Sequence, residues 1–182
     1  MKKTVLVFGL ISGALMAIFM TGTMIYVRNV GFDRGMILGY AGMVLAFLLV
    51  FFGIRSYREN IGGGAISFGR AFAVGILITL ISCICYVVAW EILYFKFMPD
   101  FADKYAAHAI EKLKAAGATA AAIQAQMDEA KNLKRILDNP FLNAAATFIE
   151  PFPVGLIITL ISALILRKRK SASSESAVST AA

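Results

Sequence analysis

One stretch of membrane length constrains this chain more than any other feature. Between 71 and 95 the residues are apolar, small or aromatic, and the single charge is Glu91, beside Trp90 and near Tyr94. About 20 apolar residues in an α-helix cross a hydrocarbon core ~30 Å thick. Three further apolar blocks accompany this one. The chain is 59% hydrophobic and 16% charged, more apolar than soluble domains ordinarily are. The pattern predicts an all-α membrane protein with four transmembrane helices, over about 4–27, 35–54, 70–98 and 144–166. These make one domain over 1–170. A Ser/Ala-rich stretch at 171–182 reads as a disordered cytoplasmic tail.

The net charge of +7 does not point to nucleic acid, because the basic residues flank the apolar blocks. There they set orientation and meet anionic headgroups. Lys2, Lys3, Arg55, Arg58, Arg70 and the run 167–170 fall on one side; Arg28 and Arg34 fall on the other. The positive-inside rule then places both termini in the cytoplasm. The basic start followed by an apolar run also describes a signal peptide, but no A-x-A-type site follows, so the first block reads as an uncleaved helix.

Between the third and fourth blocks, 100–139 is alanine-rich and mixed in charge. Ala102, Ala106, Ile110 and Leu113 share one helical stripe, and Ile123, Met127, Ala130, Leu133 and Leu137 another. Gly117 offers a break and Thr119 an N-cap. A helical hairpin outside the membrane is expected, carrying His108 as a surface residue rather than a metal ligand. The fourth block contains Pro151 and Pro153, so its helix either kinks or starts there.

Small residues spaced by four recur: Gly9 with Gly13, Gly35 with Gly39, and Ala71, Gly75 and Thr79. They suit close helix contacts, although glycine is also simply common in membrane helices. Gly13, Gly39 and Gly75 are expected at such contacts. The later part of the second block, rich in Leu, Val and Phe and without a polar side chain, is expected to face lipid. Tyr86, Trp90, Tyr94 and Phe95 read as an aromatic belt at an interface. Residues 74–82 (VGILITLIS) and 154–162 (VGLIITLIS) nearly match. Chance or a shared packing requirement accounts for this better than a true inverted repeat, because the match covers only part of one span.

No catalytic constellation is visible: there is no HExxH, no paired His/Cys cluster and no nucleophile with a nearby histidine. Cys83 and Cys85 point to nearly opposite helix faces and read as packing residues. No cofactor, metal or enzymatic activity is expected. The glycine-rich loop at 62–64 could cradle an anion, but it lacks the GxxxxGK[ST] pattern and reads better as a turn at the headgroups.

The candidate polar site within the membrane is Glu91 with Glu150, joined by Tyr86, Tyr94 or Arg28. At 1.5 Å per residue Glu91 lies roughly 31 Å along the helix from Arg70, and Glu150 roughly 25 Å from Arg167, at similar depth on helices of opposite direction. Both glutamates either share one site or snorkel separately into the headgroups. Intramembrane carboxylates mark pathways by default, so a small transporter or channel component is the alternative to a structural or regulatory bundle. The expected partners are the lipid bilayer and either a second copy or another membrane protein.

One loop carries a resemblance. Arg55, Tyr57, Arg58, Glu59, Gly63, Gly64, Phe68 and Arg70, followed by Trp90-Glu91, Tyr94, Pro99-Asp100-Phe101, Tyr105 and Glu150, resemble the signature of the bacterial domain-of-unknown-function family 4199. The resemblance covers nearly the whole chain except the Ser-rich tail. It implies a four-span bacterial inner-membrane protein and no particular activity.

Overall fold

The computed structural model describes residues 1–30 and 32–168, without the side chains of 26–30, 32–34 and 36. The Arg28 side chain and the stretch 171–182 therefore lie outside the described residues. Seven α-helices are described: α1 Lys2–Val30, α2 Phe32–Asn60, α3 Phe68–Ile92, α4 Phe101–Ala115, α5 Ala120–Leu137, α6 Pro140–Ile149 and α7 Pro151–Leu166. A π-helical turn, Leu93–Phe97, extends α3. Four helical stretches are long and apolar enough to cross a membrane: Lys2–Ile25, Ile37–Asn60, Phe68–Phe97 and Pro140–Leu166.

The boundaries differ from the sequence reading in three places. The polar connection expected near 28–34 is helical on both sides of position 31, and α2 continues to Asn60 instead of ending at 54. The fourth stretch begins at Pro140, four residues earlier than expected. Asn139 caps it, accepting from the backbone N–H of Phe141 at 3.0 Å and of Leu142 at 3.2 Å. Proline at the first helical position loses nothing, since that N–H has no helical partner. The helix then breaks at Glu150. Pro151 and Pro153 have no N–H to give to the carbonyls of Thr147 and Ile149, which divides α6 from α7.

Close packing is built from glycines where helices approach. A Cβ on Gly9 would lie 2.8 Å from Ile81, one on Gly13 2.5 Å from Cys85, and one on Gly53 2.5 Å from Ile78. The two matching nonapeptides pack on each other in antiparallel fashion. A Cβ on Gly75 would strike the Thr159 methyl, and one on Gly155 would strike the Thr79 methyl and Phe47. The two threonine hydroxyls meet at 3.0 Å. The likeness of 74–82 to 154–162 is thus the likeness of two faces of one seam. Hydroxyls elsewhere close onto neighbouring backbones, Ser12 onto the Ala46 carbonyl at 3.0 Å and Ser82 onto the Gly9 carbonyl at 3.3 Å. Such interhelical bonds contribute about 0.6 kcal/mol each in a bilayer.

The apolar end of α2 is not all lipid-facing. Ala46, Phe47, Val50 and Ile54 are fully buried, while Leu45, Leu48 and Phe52 on the other side are exposed. An all-apolar sequence has no polar face to reveal that division.

The α2–α3 loop folds over the end of α7. Gly63 and Gly64 take φ of +62° and +81°, a left-handed path that glycine follows without a Cβ penalty. Ile66 and Lys168 exchange two backbone hydrogen bonds of 2.9 Å. Arg58 donates to the Leu166 carbonyl at 3.4 Å, and Glu59 accepts from Arg55 at 2.9 Å and from Arg58 at 3.3 Å. Ser67 caps α3 through the Arg70 N–H. Tyr57 is buried, and Phe68 stacks on Phe72. These loop residues therefore close one end of the bundle.

A candidate ligand cavity under the helical hairpin

The opposite end is less tightly filled. A cavity of about 560 Å³ lies among α1, α2, α3, α4, α5 and α6. Four methionines line it, Met16, Met20 and Met24 from one stripe of α1 and Met43 from α2. Tyr86 and Trp90 enter from α3, and Phe101, Tyr105, His108 and Lys112 from α4. Glu150 comes from the break between α6 and α7.

Polar bonds hold the walls in place. Trp90 donates its indole N–H to Asn143 at 2.8 Å, and Asn143 donates to the Leu137 carbonyl at 2.9 Å. Thr147 donates to the same Asn143 oxygen at 3.1 Å. Asn143 is fully buried, so α3, α5 and α6 are joined through one amide. Tyr94 donates to Asp138 at 2.8 Å, anchoring the π-helical turn to the end of α5. Between the hairpin helices, Lys134 reaches both Asp103 oxygens at 2.6 and 2.7 Å. That bond holds the lysine above its ordinary pKa. Lys131 and Gln124 around Asp128 hold that carboxyl below its usual range.

The sequence-derived site residues separate. Glu150 accepts from the Tyr86 hydroxyl at 3.3 Å. Tyr40 on α2, not among the residues picked from sequence, lines the same cavity as this carboxylate. Tyr94 is taken by Asp138. Glu91 is half-buried, does not line the cavity, and has one carboxylate oxygen, Oε1, buried without a hydrogen-bond partner among the described residues. Trp90 and Tyr94 are buried and Tyr86 partly so; these three turn into the bundle, whereas Phe95 stays exposed as a belt residue would. His108 is half-buried and lines the cavity wall.

Sequence reading missed Asn143, Asp138, Tyr40 and the methionine stripe. Asn143 was discernible as the one amide in an apolar segment, and Met16-x₃-Met20-x₃-Met24 as a single face. Tyr40 had no such signal.

Four membrane-length helices around a polar-anchored cavity define a multi-pass membrane protein. The chain belongs to the family described as "Protein of unknown function (DUF4199)", whose model matches residues 7–168. Neither a curated protein nor a solved structure matches it.

Proposed function

We propose that this protein lies in a bacterial inner membrane, with both termini cytoplasmic and the α4–α5 hairpin outside, and acts by binding an apolar organic molecule in the cavity beneath that hairpin. The placement of Lys2, Lys3, Arg55, Arg58 and Arg70 at the end opposite the hairpin supports the orientation. The cavity carries the binding reading. Its volume of about 560 Å³ falls within the range of small-molecule sites, and its wall is mostly apolar with a few converging polar groups. A bundle with a purely structural role has no use for such a space, because unfilled volume forfeits packing contacts.

Hairpin residues form part of the wall, so occupancy would bias how the hairpin sits. A second copy or another membrane protein reading that position would give a regulatory role without catalysis. A transport role draws support from Glu150, an intramembrane carboxylate on the cavity wall, and none from Glu91.

Trp90 is the chain's one tryptophan and lines the cavity, so its fluorescence reports occupancy. In nanodiscs, a brominated long-chain alcohol is expected to quench it saturably. Gly39→Phe should abolish the saturable component, because Gly39 faces open space in the cavity. Equal, non-saturating quenching of both proteins would remove the binding reading.

A further inference from the structure

We infer that the cavity's ligand is a lipophilic organic cation, a reading that rests on the small-molecule proposal above. Glu150 is the one acidic residue among the described residues of the wall. It accepts from the Tyr86 hydroxyl at 3.3 Å, and Tyr40 from α2 lines the same cavity. The same wall carries several rings. Trp90 meets Phe101 edge to face with centroids 5.2 Å apart, and Phe101 stacks on Tyr105 at 6.2 Å. This aromatic surface runs without a gap from α3 to α4.

Ring faces carry a negative quadrupole and attract a cation by about 0.5–2 kcal/mol, more where water is excluded. A carboxylate in the same cavity as such rings suits an ammonium or phosphonium head. It does not suit an inorganic ion, since Ca²⁺ takes 6–8 oxygen ligands and Mg²⁺ near-ideal octahedral coordination. The methionine stripe suits the apolar body of the ligand, because thioether chains adapt to irregular shapes. His108 and Lys112 enter from α4 and have interactions of their own. Lys112 brings a positive charge to the α4 side of the wall, so the ligand's head is expected toward Glu150 and the Trp90 ring of α3.

Tetraphenylphosphonium and tetraphenylborate are nearly the same shape with opposite charge, and calorimetric titration into nanodiscs, with empty nanodiscs subtracted, compares them. Tetraphenylphosphonium is expected to bind at least about tenfold more tightly than tetraphenylborate. Glu150→Gln keeps the size of the side chain and an acceptor for Tyr86; it should weaken the phosphonium about tenfold or more and leave the borate no weaker, since the charge that attracts the one repels the other. Glu150→Asp should retain most of the affinity, and Glu91→Gln all of it. Borate binding as tight as phosphonium binding, or unchanged phosphonium binding by Glu150→Gln, overturns the cation assignment. If the brominated alcohol still quenches Trp90 saturably while phosphonium fails to bind, the cation assignment falls and the cavity reading stands. If Gly39→Phe changes neither, both fall.

Discussion

The packed seams of this bundle and the space beneath its hairpin use the same residue type to opposite effect. In the seams, Gly9, Gly13, Gly42, Gly53, Gly75 and Gly155 each sit where a Cβ would collide with a neighbouring helix. At the hairpin end, Gly22 and Gly39 have nothing within 4 Å of where a Cβ would lie. In lipid there is little hydrophobic gain from bringing helices together, so close approach has to come from van der Waals contact and hydrogen bonds. Where a partner helix with a matching small residue arrives, glycine makes a seam. Where the neighbours carry Met, Trp and Tyr, glycine borders a space. Spacing by four is therefore a condition for close packing and not a guarantee of it.

The largest expected effect tests that contrast directly. Gly155→Leu places a side chain into Thr79 and Phe47 and should destabilise the bundle by about 3 kcal/mol or more, seen as lost folded protein in detergent. Gly39→Leu fills open space and relieves glycine's helix penalty of about 1 kcal/mol, so its melting temperature should be unchanged or higher. Equal losses in the two variants would end the distinction between the two halves.

A second substitution asks what holds the cavity end together. Asn143→Ala leaves the Trp90 N–H and the Leu137 carbonyl without their partner. Orphaned groups of this kind cost about 1–3 kcal/mol. Hydrogen exchange should quicken at the α5–α6 junction and stay slow along the Gly75–Thr159 seam. Uniform quickening would show the two ends to be one cooperative unit.

The smallest effect concerns the hairpin. Lys134 is raised above its ordinary pKa by Asp103, so its contribution is present in full below the ordinary lysine value and fades as pH rises through the raised one. The pair is solvent-exposed, so Lys134→Met should shift the melting temperature little at neutral pH and remove whatever loosening of α4 from α5 appears in strong alkali. A large shift at neutral pH would mean that the ion pair, and not apolar packing, holds the hairpin.

Several elements were legible in the sequence because they follow from local rules. The four apolar blocks, the turn at Gly117 and the cap at Thr119 each rest on length, backbone freedom or one side chain bonding its own helix. The caps at Ser67 and Asn139 are of the same local kind. Glu150 stood out as a lone carboxylate in an apolar context, and the fold puts it on the cavity wall. Its partner did not follow from depth along the helix. Glu91 lies at comparable distance from the loop end, yet helix rotation carries it away from the cavity while Tyr86 and Trp90 enter.

What the sequence by itself determined is the number of membrane-length helices, the hairpin between the third and fourth, and the break at the prolines, because these depend on hydropathy and backbone chemistry along one strand of chain. Only the tertiary structure decided which glycines become a seam, which side of α2 is core, and that Tyr40, Tyr86 and Glu150 converge. Those outcomes depend on the rotation of each helix about its axis, and an apolar helix in an apolar solvent carries no amphipathic pattern from which that rotation can be read.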